Sequence, residues 1–296
     1  MTSIQNPWIG GAVYNPLSGQ WQARKDTDDL DFWMKHAIDE VYSTFGQRVR
    51  IKPKSLQKFG RTGSLAQDTE TIVAILGSGE TDEDLSTTND IDGLSCADDS
   101  FTGDVYAEGH TIDSNGLLTF VTQTKAATGN TKATWDTPLA RMTRLEIADG
   151  TFASPSVAAG GALYGYASSG VTLSGGVPQT ASSIKCTIAA NKNQSQKCAT
   201  SFSNVDFGLV NQIYGSANRA SATANLDFEF QVRRLGGVFK QKFEYTVRTA
   251  AQSGFVIDIR PFLIVPPNSD TKMVVTSSAS AAFATAGFNC LFGLVQ

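Results

Sequence analysis

The chain has 296 residues, of which 41% are hydrophobic, and it carries a formal charge of −4. This charge argues against a general nucleic-acid-binding protein, because such proteins present a strongly basic contact surface. Charged residues make up only 18% of the chain, below the usual quarter, which favours a surface partly covered by other copies or by partner proteins.

The cysteines and histidines do not indicate a metal centre. The four cysteines include no C-x-x-C pair and the chain has two histidines, so a zinc cluster is not expected. We expect reduced, buried thiols at Cys96, Cys186, Cys198 and Cys290. No signal-peptide pattern and no apolar run of about 18 residues is visible, so we expect assembly in the cytoplasm and no membrane partner.

Residues 1–46 predict an extended arm followed by one amphipathic helix. The first 25 residues lack periodicity but contain Trp8, Tyr14 and Trp21, which are unusual in a disordered tail. An arm of this kind is expected to pack on its own body or on a neighbouring subunit. The helix is predicted between a cap at residues 26–28 and Gly46, because apolar residues recur at helical spacing from Leu30 onward.

Charge is distributed unevenly after the predicted helix. Six basic residues follow closely on one another: Arg48, Arg50, Lys52, Lys54, Lys58 and Arg61. Residues 80–104 instead carry nine acids, among them Glu83 and Asp98, and no lysine or arginine. Opposite patches of this kind suit head-to-tail contact between copies, although solvated charged loops explain the pattern equally well.

The rest of the chain predicts a mainly β protein with two β-sandwich or jelly-roll-like domains. Residues 47–175 contain short runs rich in Val, Thr, Tyr and Phe, separated by turn residues at intervals of about ten. Residues 184–296 contain eight candidate strands, which is the strand number of a jelly roll. Within this second domain, residues 226–247 alternate between apolar and polar residues and are interrupted by Gly236-Gly237, which predicts a β-hairpin.

The sequence offers little catalytic chemistry. No nucleophile, base and orienting acid stand in a recognisable pattern. Asp104, Glu108 and His110 would share one face of a strand, where they could bind a metal or transfer a proton, but a polar solvent face is the simpler interpretation. The "NDIDG" run at 89–93 begins like a calcium loop and lacks its remaining ligands. We therefore predict no catalytic, cofactor-binding or metal-binding residue and no enzyme activity.

Several segments together resemble structural proteins of tailed-bacteriophage virions. The C-terminal part, "LDFEFQVRRLGGVFKQKFEYTV" and "RPFLIVPPNSDTKMVVTSSASAAFATAGFNCLFGLV", resembles the end of such proteins. "KSLQKFGRTGSL" and "GNTKATWDTPLARMTRLEIADG" resemble the β module that precedes it. The resemblance implies a non-enzymatic virion component that binds other copies, with a trimer favoured, and neighbouring capsid or tail proteins. An accessory capsid (decoration) role is slightly favoured over a tail or head–tail role.

A second hypothesis is a receptor- or glycan-binding tail-fibre protein, in which Tyr164 and Tyr166 would present stacking rings on one strand face, although the two rings could equally belong to the core. An enzyme such as a depolymerase is the third and weakest. For contacts between proteins, we predict the arm aromatics and the charged residues of the two patches and the hairpin: Trp8, Trp21, Arg48, Arg50, Lys58, Arg61, Glu83, Asp98, Arg233 and Lys240.

Overall fold

The computed structural model describes residues 8–9, 12–15, 20–23, 49–74, 88–148, 161–219, 223–249 and 252–295. The amphipathic helix predicted between residues 26 and 46 lies outside the described residues. Within them, strands dominate, and the only helical element is a 3-10 turn at Ala181–Ser183. The mainly β prediction is therefore confirmed. In the described part of the chain, no helix is long and apolar enough to cross a membrane.

The strands of the described residues, in chain order, are β1 Trp8–Ile9, β2 Ala12–Asn15, β3 Gln20–Ala23, β4 Val49–Arg61, β5 Thr71–Ile72, β6 Ile91–Cys96, β7 Thr102–Ile112, β8 Leu118–Thr128, β9 Ala133–Leu139, β10 Arg141–Ile147, β11 Leu163–Ala167, β12 Leu173–Ser174, β13 Val177–Pro178, β14 Ile184–Ile188, β15 Ala199–Phe202, β16 Asp206–Asn218, β17 Ala224–Arg234, β18 Lys240–Thr249, β19 Gln252–Val265, β20 Ser269–Ser277 and β21 Phe283–Val295. The first three form a small antiparallel sheet within the predicted arm.

A C-terminal unit is built from β4, β5 and β15–β21. One of its sheets has the order β19-β16-β21-β4, and the other has the order β15-β20-β17-β18 with β5 also paired to β20. Side chains of both sheets form one core. Phe230 of β17 meets Phe288 of β21 edge to face, with ring centroids 5.1 Å apart. The predicted alternation of β17 thus directs every second residue into this core, where Phe228 and Phe230 are completely buried.

A central unit is built from β6–β14. Its two larger sheets have the orders β14-β11-β6-β9 and β10-β7-β8. They bury a second core that includes Leu94, Trp135, Leu145 and Leu163. The short hairpin of β12 and β13 covers the outside of β11, where it contributes Leu173 and Val177 to a small apolar cluster.

Strand pairing crosses the predicted domain boundaries at two places. β4, predicted within the first domain, pairs along most of its length with β21 at the end of the chain. β14, predicted as the first strand of the second domain, pairs with β11 of the central unit. Pairing between antiparallel strands far apart in sequence depends on tertiary packing, which the local residue pattern does not encode. The central unit is therefore inserted into the C-terminal unit between β5 and β15, while the domain boundaries themselves stay a prediction.

Candidate functional site at the junction of the two units

A buried ion pair joins the two units. Arg141, the first residue of β10, donates from Nε to Asp270 Oδ1 at 2.9 Å and from Nη2 to Asp270 Oδ2 at 3.1 Å. Both side chains are completely inaccessible to solvent. Asp270, on β20, also accepts from Ser201 Oγ at 2.7 Å and from Arg233 Nε at 3.0 Å. The carboxylate is thus surrounded by donors from both units.

These donors decide the ionisation of Asp270. Burial alone raises the pKa of its carboxyl, but the hydrogen bonds and charge of Arg141, the Ser201 hydroxyl and the charge of Arg233 together hold the pKa below its usual value. Asp270 is therefore ionised in the folded protein. A buried carboxylate with two guanidinium partners needs this full set of donors, because an unpaired charge in the interior is costly.

Two buried lysines also cross the junction. Lys58 Nζ on β4 donates to the carbonyl oxygen of Thr143 on β10 at 2.9 Å. Lys197 Nζ donates to the carbonyl oxygens of Met142 at 2.6 Å and Lys185 at 3.1 Å. Burial lowers the pKa of Lys58 to about 8, although the negative charge of Glu108 opposes the shift. The β10 backbone is therefore held by cations from the C-terminal unit.

Asn268 connects the C-terminal unit by hydrogen bonds to the turn between β7 and β8. Its Oδ1 accepts from the Leu118 N–H at 2.8 Å, and its Nδ2 donates to the carbonyl oxygen of Gly116 at 3.0 Å. The residue has a φ of 54°. Asparagine tolerates this left-handed conformation better than most residues, so one residue both forms the turn before β20 and binds the neighbouring unit.

A polar cavity of about 520 Å³ lies at this junction. His110 and Glu108 of β7 both line it, so the structure places these two members of the predicted Asp104, Glu108 and His110 set at one site. Asp104, at the exposed end of the strand, does not line the cavity. Among the described residues, no group of three or more His, Cys, Asp or Glu side chains is arranged to hold a metal ion.

His110 is the most unusual group in the cavity wall. Its side chain is buried, and its Nδ1 has no hydrogen-bond partner among the described residues. The ring packs edge to face against Phe120, with centroids 5.4 Å apart. Burial lowers the pKa of His110 to about 4, and the opposing charges of Asp270 and Arg141 follow as smaller influences. The imidazole is therefore neutral at pH 7.

The residues predicted to contact other proteins are placed differently. Arg61 and Lys240 are exposed, and Asp98 is half-buried, where it accepts from the Ser100 N–H. Lys58 is not at the surface: only 6% of it is exposed, and its ammonium is bonded inside the chain. Arg233 is likewise engaged, with its guanidinium on Asp270 and 4.5 Å above the Phe239 ring.

The remaining predicted contact residues are not characterised at the side-chain level. Trp8, Trp21 and Arg50 belong to strands whose backbone alone is described. Arg48 and Glu83 lie outside the described residues. The predicted role of all ten residues in contacts between proteins stays a prediction.

The two tyrosines proposed as sugar-stacking rings are not available at the surface. Tyr164 is 8% exposed and Tyr166 is completely buried, because the β12–β13 hairpin covers that face of β11. The idea that these rings stack on a glycan is therefore wrong for this structure. Apolar and aromatic residues two apart in a strand indicate a shared face, but not whether another element covers it.

The sequence interpretation missed Arg141 and Asp270 as a functional pair. Both stood in segments noted for their strand and turn pattern and for their resemblance, "TPLARMTRLEIADG" and "PPNSD". A lone arginine at the start of one strand and a lone aspartate at the start of another give no sign of burial, since most such side chains are exposed.

Comparisons with known proteins found distant likenesses only. No protein-family model matches the chain. No curated protein matches it either. Among solved structures, it is similar to "Structure of infectious bursal disease virus Gx strain", with 10% identity and a TM-score of 0.23 over 84% of this chain and 72% of that one. It is also similar to "Structure of infectious bursal disease virus Gt strain", with 9% identity and a TM-score of 0.19 over 89% of this chain and 78% of that one.

Proposed function

We propose that this chain is a non-enzymatic structural component of a tailed-phage virion that binds other copies of itself and neighbouring capsid or tail proteins. An accessory capsid, or decoration, role is favoured slightly over a tail or head–tail role. The strand order of the C-terminal unit carries the proposal. The sequence resemblance described above and the low content of charged residues support it independently.

The strand order of the C-terminal unit supports the predicted jelly-roll arrangement. β5 and β15 pair with the same edge of β20, so they count as one strand interrupted by the central unit. With the strands of the C-terminal unit numbered one to eight along the chain, one sheet then reads 1-8-3-6 and the other 2-7-4-5. This alternation between facing sheets is typical of jelly rolls, which are common in viral capsid proteins and also occur in lectins.

The proposed role requires surfaces that meet other copies, and a trimer is the favoured assembly. Residues with large exposed apolar side chains include Val238 at the tip of the β17–β18 hairpin and Val256 on the edge strand β19. Arg61 and Lys240 add exposed positive charge. Apolar and basic groups together suit an interface with an acidic neighbouring surface.

The deciding experiment is mass spectrometry of separated heads and tails from purified particles, with the copy number determined in each fraction. The proposal requires the protein in one of these fractions at a fixed stoichiometry. Light scattering of the isolated protein tests the trimer separately. A monomer that is also absent from particles would refute the proposal.

A further inference from the structure

The junction cavity contains more positive than negative charge. Lys58, Lys197 and Arg144 line it together with Glu108 and Asp206. Its volume of about 520 Å³ lies within the range of roughly 300–1,000 Å³ that is typical of small-molecule sites. Hydroxyl groups of Ser201 and other residues contribute further polar atoms to the wall, so the cavity is suited to a polar ligand.

Both carboxylates of the wall already have partners. Glu108 lies 3.7 Å from Arg144 Nη1 and accepts from the Tyr106 hydroxyl at 3.3 Å. Asp206 accepts from Ser203 Oγ at 2.7 Å. Each carboxylate therefore has a hydrogen-bond or ion-pair partner other than Lys58. Neither forms an ion pair with Lys58 among the described residues.

Lys58 is a buried cation that forms no direct ion pair with a described residue, although the charge of Glu108 acts on it at longer range. Its ammonium has three donor hydrogens, and one of them is used on the carbonyl oxygen of Thr143. Among the described residues, no carboxylate forms an ion pair with this nitrogen, and Glu108 is paired with Arg144 instead. Burying an unpaired ammonium is unfavourable, as the lowered pKa of about 8 reflects. An anion in the cavity would remove this cost.

His110 supplies the second unsatisfied group. Its buried Nδ1 lacks a hydrogen-bond partner in the described part of the chain. Burial is the main reason why the pKa of His110 is lowered, and the positive charge of Lys58 adds a smaller contribution in the same direction. A bound oxyanion could accept from an imidazole N–H and from the ammonium together.

We propose that this cavity is a binding site for a compact oxyanion, a carboxylate or phosphate group, held between Lys58 and His110. The rings of Phe59 and Phe120, which also line the cavity and are each more than one-third exposed, contact the non-polar part of the molecule that carries the anion. This site is distinct from the surfaces proposed for assembly, because Lys58 and His110 are both buried within one chain.

Thermal melting of the full chain with added sodium phosphate or sodium acetate tests the proposal, with sodium chloride at equal ionic strength as the reference. At least one of the two oxyanions should raise the melting temperature in a saturating manner, as expected for a ligand that binds the folded state. The salt whose effect on the melting temperature saturates identifies the bound group as phosphate or carboxylate. Phosphate also stabilises proteins generally, so the difference between variants decides the result.

The test variant is Lys58→Met, which keeps a long buried side chain, and the control is Lys240→Met at an exposed lysine. The saturating shift should disappear in Lys58→Met and persist in Lys240→Met. An equal shift in both variants, or no shift beyond chloride in the wild-type chain, would overturn the proposal.

Proton NMR of the imidazole provides a readout that does not depend on the folding of Lys58→Met. The chain has two histidines, so a His36→Gln background leaves His110 as the single imidazole signal. Saturating oxyanion should raise the pKa of His110 above its value of about 4, because the anion stabilises the protonated ring. A titration curve unchanged by both phosphate and acetate would overturn the proposal.

Discussion

Arg141 and Asp270 stand 129 positions apart in sequence and form a doubly hydrogen-bonded ion pair whose two side chains are completely buried between the central and C-terminal units. Arg141 is the first residue of β10 and Asp270 the second residue of β20, and Ser201 and Arg233 donate the remaining hydrogen bonds to the carboxylate. The two units are therefore joined by a charge network that is complete only when both are folded and in place.

Asp270→Asn should destabilise the protein strongly, because it leaves Arg141 and Arg233 facing each other without a counter-charge. Removing one partner of a buried pair costs about 3–5 kcal/mol. Urea unfolding should measure this loss in the free energy of unfolding. The matched control is Asp136→Asn, which removes an exposed ion pair with Lys125 and should cost less than about 1 kcal/mol. Similar losses in the two variants would contradict the assigned role of Asp270.

Stability should fall in mild acid because His110 is held neutral in the folded chain. Its pKa is about 4 when folded and 6.5 when exposed, so the unfolded chain takes up the proton first as the pH falls below 6.5. The free energy of unfolding should therefore decrease between pH 6.5 and 4, by about 3 kcal/mol over the full window. The loss of Asp270 stabilisation begins at lower pH, because the carboxyl of the unfolded chain takes up its proton only near the ordinary value of 3.8, and the loss continues down to the depressed pKa of the folded state.

Urea unfolding of the wild-type chain and of His110→Gln at pH 7, 5.5 and 4.5 checks this pH dependence. The variant should lose most of the slope between these values. The Asp136→Asn control should keep the wild-type slope, because its carboxylate is exposed. An unchanged slope in His110→Gln would assign the acid sensitivity to another group.

Gly109→Ala should disturb the junction from within β7. A Cβ at this position would lie 2.0 Å from the Arg141 carbonyl oxygen and 2.7 Å from Leu139 Cδ1, both closer than real contacts allow. The backbone of β10 would have to move, which typically costs about 1–3 kcal/mol when a core is overpacked. Gly63→Ala is the control, since nothing lies within 4 Å of its Cβ. Thermal melting should show a clear loss for Gly109→Ala alone.

The strands of the C-terminal unit were predictable because their signal is local. In β17, Leu226, Phe228 and Phe230 alternate with polar residues, and the structure buries all three in the core. The partner of each strand was not predictable in this way. β4 is the first described strand after the small N-terminal sheet and β21 is the last described strand of the chain. Their pairing depends on the whole unit being assembled.

The junction was the least predictable part of the molecule. Lys58 lies in a basic stretch whose charge predicts a surface patch. The inserted central unit nevertheless covers it, and the Thr143 carbonyl oxygen accepts a hydrogen bond from its ammonium. Sequence charge density cannot show which lysine a neighbouring unit will cover. His110 and Glu108 were correctly placed on one strand face, but the cavity in front of them exists only because the two units meet.

Substitutions in the Gly236-Gly237 turn between β17 and β18 test how much a left-handed backbone conformation contributes to stability on its own. Gly236 has a φ of 76°, and no atom lies within 4 Å of a Cβ built there. Gly236→Ala should therefore cost about 1 kcal/mol from the left-handed backbone alone, without any steric clash. Gly236→Asn should recover part of this loss, because asparagine tolerates positive φ better than alanine does.

Urea unfolding of these variants beside Gly63→Ala, which has neither constraint, should give the order Gly63→Ala, Gly236→Asn, Gly236→Ala in increasing loss. Equal losses for the asparagine and alanine variants would mean that the turn relaxes to a negative φ, and the register between β17 and β18 would then have to be held by their ladder and by the core residues of β17 rather than by the turn.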